Sequence, residues 1–141
     1  MKVTKQLIQV FNLTVRLLPL SKEKLPGLFA IKLRRLMRVI TDHASDYEVA
    51  RNACLESGAV KTEEGEEGFM GYRMNEAGTH FLWQTEEAEK EFTAIAEKEV
   101  ELEIRPFFDK DFEDDRILID ADTLQLMEVL GVLVTHLEEE K

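Results

Sequence analysis

The chain has 141 residues, a formal net charge of −11, and 44% apolar against 33% charged residues. That apolar share is enough to build a core, which argues against full disorder, and the length suits a single domain over residues 1–141. One cysteine, Cys54, excludes an internal disulfide and a cysteine-rich zinc site.

Charge is unevenly spread. The first 61 residues carry 11 Lys+Arg against 5 Asp+Glu, and the remaining 80 carry 7 against 24. Either the two halves face each other and neutralise locally, or they present faces of opposite sign to partners. The acidic total argues against general nucleic-acid binding, because phosphates need a net attractive patch. The apolar runs at 7–20 and 124–134 are interrupted or too short to span a bilayer, so no membrane partner is expected. The opening residues lack the pattern of a secretory leader, and the expectation is a protein of a reducing compartment.

Taken in chain order, residues 5–18 read as an amphipathic helix with the stripe Leu7, Ile8, Phe11, Val15 and Leu18, capped by Thr4 and broken at Pro19. Residues 28–57 read as a second helix with the stripe Phe29, Leu33, Leu36, Ile40, Ala44, Tyr47 and Cys54, and Gly58 sits where a left-handed cap belongs. A helix of that length is a rod of about 45 Å, part of which is expected to project or pack on a partner. Residues 62–68 hold four glutamates and two glycines and read as a loop. Runs 69–74 and 79–83 flank turn chemistry and predict a hairpin. Thr85 starts a helix reaching about Lys98, and 100–105 alternates as a half-buried strand ended by Pro106. An acidic loop spans 109–115, 117–119 reads as a short strand, and Asp120 or Asp122 caps a last helix carrying Leu124, Met127, Leu130 and Val134, with 138–141 fraying. The fold class is α+β: an N-terminal helical hairpin with a long second helix, a small antiparallel sheet and two further helices.

Catalytic chemistry is hard to assemble from these residues. His43, His80 and His136 are far apart, and none is at ligand spacing from another His or Cys. His43 has Asp42 and Asp46 nearby but reads as a solvated helix residue, and Cys54 lies on the apolar stripe and reads as a small buried thiol. Gly65, Gly68 and Gly71 lack the Lys-Ser/Thr and strand-to-helix setting of a phosphate loop. Asp109, Asp111 and Glu113 echo a calcium loop, without its glycine at position six and with Asp120 at position twelve. No catalytic, metal or cofactor residue is assigned, and the protein is read as not an enzyme.

Two groups remain as candidates for binding. Phe107, Phe108 and Phe112 are interleaved with Asp109, Asp111, Glu113, Asp114 and Asp115, a combination of aromatic anchors and steering acids that could dock on a basic protein surface. The alternative is that the three rings cap the core. Lys32, Arg34, Arg35 and Arg38 form the main basic cluster, read as a solvated face or as internal partners of the acidic half.

Lys24-Leu25-Pro26, Ala30, Lys32-Leu33 and Arg35, then Tyr47 and Ala50-Arg51, then Val100-Glu101, Glu103-Ile104 and Pro106 fall in an order that resembles a widespread family of small bacteriophage proteins. Those motifs run over most of the chain, are structural punctuation and carry no catalytic group. In length, acidity and aromatic-bearing acidic half the chain is also similar to the Thermus phage inhibitors of host RNA polymerase. That resemblance implies a protein of the host cytoplasm that binds the polymerase β-subunit flap, repositions the sigma factor and inhibits or redirects host transcription. Contact residues do not match one by one. The alternative is a virion assembly or head–tail neck component, motivated by the projecting rod and the phage-like pattern, which would form a defined oligomer.

Overall fold

Gln6 is the point at which an extended segment becomes a helix. In the computed structural model, which describes residues 2–134, β1 (Lys2–Gln6) leads directly into α1 (Leu7–Ser21). The cap is Gln6 rather than the expected Thr4: the Gln6 N–H donates to Gln9 Oε1 at 3.0 Å, which satisfies one donor at the helix start. Residues 2–6 are drawn into a strand by a distant partner. They pair antiparallel with β2 (Glu99–Glu103), Lys2 opposite Glu103 and Gln6 opposite Glu99, with Leu102 turned inward and buried.

The inward face of α1 differs from the expected stripe. Leu7, Val10, Leu13, Thr14, Leu17 and Leu20 are buried, whereas Val15 and Leu18 are about half exposed. The helix is apolar on nearly every face, so periodicity alone does not select the one that meets the core. Thr14 is tolerated there because its hydroxyl donates to the Val10 carbonyl at 2.9 Å. Pro19 does not end the helix, which continues to Ser21 before the chain turns back.

The second helix, α2 (Gly27–Gly58), runs antiparallel to α1 as the other arm of the helical hairpin, with every residue of the expected stripe buried. Burial extends from Phe29 to Gly58, so the rod is covered from end to end and does not project. Gly58 is no left-handed cap. It is the last helical residue, and a Cβ there would lie 2.6 Å from the Ala88 methyl of α3 (Glu86–Ala96). Close helix packing requires the glycine.

After β2, Phe107–Phe108 forms β3, followed by a single 3-10 turn at Asp109–Phe112. Residues 117–119 are not a strand. Ile117 is buried, but the segment has no ladder partner among the described residues. The last helix, α4 (Ala121–Val129), is capped by the Asp120 carboxylate, which accepts from Thr123 N–H at 3.0 Å. It ends earlier than expected because Gly131, at φ +76°, reverses the chain into β4 (Leu133–Val134), which pairs parallel with β3. Residues 135–141, including His136 and the fraying stretch, lie outside the described residues.

One core packs the inner face of α1 against the first half of α2 and is closed by Leu102, Ile104, Phe107, Met127, Leu130 and Val132. A second groups Leu7, Tyr47 and Ala96 with Phe11, Phe92 and Ile95 around the far half of α2. Among the described residues no helix is long and apolar enough to cross a membrane.

Candidate functional site

The acidic-aromatic segment 107–115 is largely committed to the fold. Phe107 is fully buried and meets Phe29 at 5.3 Å between ring centroids and Phe112 at 5.7 Å, while Phe29 and Phe112 are 5.3 Å apart. Phe107 is therefore a core residue rather than a surface anchor, and half-buried Phe112 packs its ring against the same cluster. Asp111 Oδ2 accepts from Lys32 Nζ at 2.7 Å and from the Phe108 N–H at 2.8 Å. Asp114 is engaged by Arg116, whose Nη2 lies 2.8 Å from its Oδ2. That guanidinium holds the Asp114 carboxyl down to about 2 from its ordinary 3.8. Half-buried Phe108, under Lys32 Nζ at 5.1 Å and Lys110 Nζ at 5.7 Å, and the exposed residues Asp109, Lys110, Glu113 and Asp115 are what this segment presents to solvent.

The basic cluster divides in the same way. Lys32 turns inward to Asp111, and Arg34, Arg35 and Arg38 lie on the outer surface of α2. His43 is half-buried on α2, and the His80 Nδ1 lies 2.8 Å from the Thr79 hydroxyl within the 75–80 turn. Cys54 is buried, and burial first, then Glu91, pushes its thiol pKa up, away from the nucleophilic thiolate. Among the described residues no group of three or more His, Cys, Asp or Glu is placed to hold a metal ion.

A better-formed surface element lies in the segment that composition marks as a loop. Residues 59–84 fold into a small lobe at the C-terminal end of α2, in which three extended segments pair with one another. Val60 N–H donates to Leu82 O at 2.9 Å, Arg73 N–H to Val60 O at 2.8 Å, and Leu82 N–H to Arg73 O at 3.0 Å. The expected hairpin is present as an antiparallel bridge between Met74 and Phe81. Trp83 anchors the lobe on α3 by stacking on Phe92 at 5.1 Å.

The tip of the lobe is a tight turn over residues 69–72. Phe69 and Tyr72 exchange N–H···O=C bonds, each 3.0 Å, around Met70 at φ +57° and Gly71 at φ +84°. Left-handed backbone at both central positions is the geometry of a two-residue hairpin turn. Gly68 lets the chain close on itself, since a Cβ there would fall 2.3 Å from the Tyr72 carbonyl oxygen. Phe69 is 52% exposed and Met70 49% exposed. Beside them, Glu63, Glu64 and Glu67 point to solvent, while Glu66 is clamped by Arg73 at 2.6 and 2.7 Å. The Arg73 hydrogen bond, aided by the Glu63 N–H, lowers the Glu66 pKa and keeps it charged. The sequence signal for this site is Phe-Met-Gly-Tyr directly after four glutamates. Its apolar residues read as strand interior until the lobe is seen.

The architecture is thus an α+β helical hairpin carrying a small appended lobe. Comparison of the chain with known protein families, with curated proteins and with solved structures returns no match.

Proposed function

We propose that the protein acts by binding another protein, without catalysis, and that the tip of the 59–84 lobe is its docking element. The observation that carries this reading is the pair Phe69 and Met70, exposed together on a doubly hydrogen-bonded turn within a cluster of glutamates. Met70 holds a left-handed conformation that costs a non-glycine residue roughly 1–2 kcal/mol, on a turn where glycine would sit without strain. Aromatic and methionine side chains are enriched as interface anchors, and the surrounding acids steer the encounter toward a basic surface.

The partner proposed is bacterial RNA polymerase at the β flap and sigma region, and the protein is proposed to be phage-encoded. Support for both comes from the phage-protein resemblance and the net acidic charge. In the same reading Phe108, Asp109, Glu113 and Asp115, with Lys110 among them, form a second patch of net acidic charge near the start of α2, about 40 Å from the lobe along that helix. Of the two motives for the virion-assembly alternative, the phage-like pattern is shared with this reading, and the projecting rod is lost because α2 buries residues from Phe29 to Gly58.

The test is binding of the immobilised protein to purified bacterial RNA polymerase holoenzyme at low and high salt. Binding that weakens at high salt and is lost in the Phe69→Ala/Met70→Ala double variant is the expected result. No binding by the wild type, or equal binding by the variant, contradicts the proposal.

A further inference from the structure

The outer face of α1 carries a second apolar stripe. Ile8, Phe11, Val15 and Leu18 follow the alternating three- and four-residue spacing of a helix–helix seam; Ile8 and Phe11 are half-buried against the second core, with Phe11 4.8 Å from the Tyr47 ring, and Val15 and Leu18 carry the stripe onto the exposed surface. The inner face of the same helix is already spent on the core. Val15 is 52% exposed, and Val129 of α4 beside it is 62% exposed. Between α1 and α4 runs an open groove of about 560 Å³, with Phe11, Val15, Leu126 and Val129 as its apolar lining and Asn12, Arg16, Asp122 and Gln125 as its polar lining.

We propose that two copies of this chain associate through this face, each laying its α1 along the α1–α4 groove of the other. The charge pattern favours a second copy as the occupant. Within its limits α1 has a single cation, Arg16, and no carboxylate, while α4 has Asp122 and Glu128 and no cation. One face therefore holds both members of a complementary pair, as an isologous two-fold contact requires. Arg16 of each copy then faces Asp122 of the other, exchanging the weak 3.8 Å contact with its own Asp120 for a pair beside the seam. Phe11, Val15, Leu126 and Val129 supply the apolar centre, Asn12 and Gln125 its polar rim, and the charges set the register. This association uses neither Phe69 nor Met70 and stands independently of the partner proposed above.

The test is sedimentation velocity of the full chain over a concentration series. The wild type is expected to move with concentration from 16.3 kDa to a species of twice that mass. Val15→Glu is expected to stay monomeric over the same range with an unchanged circular dichroism spectrum. Arg16→Glu and Asp122→Arg are each expected to raise the dissociation constant about tenfold, and the double reversal to restore it to within a few-fold. A wild type that is monomeric at every concentration overturns the proposal and gives the face to a helix of a different protein. A Val15→Glu dimer as stable as wild type, or a double reversal no better than the single ones, overturns it as well. Phe69→Ala/Met70→Ala is expected to dimerise like the wild type.

Discussion

Lys32 and Asp111, 79 positions apart in the sequence, form a 2.7 Å ion pair that joins the basic half of the chain to its acidic half. Lys2 with Glu101 at 3.5 Å and Arg16 with Asp120 at 3.8 Å cross the same divide at more exposed positions. Of the two readings of the charge asymmetry, mutual neutralisation thus accounts for part of the first half's cations. Because Asp111 also holds the Phe108 N–H, its removal leaves two donors short. Asp111→Ala is expected to destabilise by about 1–3 kcal/mol and Lys32→Ala by about 1 kcal/mol, read by urea denaturation. Equal losses from the two would contradict the second role of Asp111.

Phe107 and Phe108 are adjacent in sequence and opposite in consequence. Phe107→Ala empties the centre of the Phe29–Phe107–Phe112 cluster and is expected to cost about 3–5 kcal/mol, enough to threaten folding. Phe108→Ala is expected to cost much less, because that ring is half solvated. The fluorescence of Trp83, the chain's one tryptophan, stacked on Phe92, provides the readout for both.

Met70→Gly separates stability from binding at the lobe tip. Relief of the left-handed strain at φ +57° outweighs the entropy of the glycine, and a gain of about 0.5–1 kcal/mol in thermal unfolding is expected. If the tip is the docking element, the same variant loses affinity. A variant that gains stability and binds as before would show that Met70 is not an anchor.

Acid sensitivity follows from Asp114. Its folded pKa of about 2 lies below the ordinary 3.8, so the folded chain takes up this proton less readily than the unfolded chain. The stability it contributes is complete above the unfolded value and is lost as pH falls through the interval from about 4 to about 2. In Arg116→Ala, carboxyl titration by NMR is expected to place Asp114 back toward 3.8. A carboxyl that still titrates near 2 without Arg116 would contradict the assignment of cause.

Elements governed by local chemistry were legible in the sequence. Thr85 and Asp120 cap their helices as their hydroxyl and carboxylate dictate, with Ala88 N–H and Thr123 N–H as donors. The buried face of α2 includes every residue of its expected stripe, and Arg51 and Leu55 are buried in addition. What was not legible depends on partners far away in the chain. The strand at 2–6 exists because Glu99–Glu103 is there to pair with it, and no local feature marks it. The inner and outer faces of α1 are both apolar, and only α2 decides between them. The same holds for the site: the aromatic-acidic pattern at 107–115 is real, but Phe29 and Lys32 claim Phe107, Phe112 and Asp111 for the interior. The exposure of Phe69 and Met70 depends on a lobe closed by non-local hydrogen bonds.

The central claim, that the lobe tip docks a basic protein partner, is tested most directly by parallel affinity capture from a bacterial lysate. Wild type, Phe69→Ala/Met70→Ala and Val15→Glu are compared at low and high salt, with mass spectrometry as the readout. The account predicts that RNA polymerase β or sigma is recovered by the wild type and by Val15→Glu at low salt, and lost in the tip variant and at high salt. Recovery of the same proteins by all three, or of no polymerase subunit by any, would contradict it.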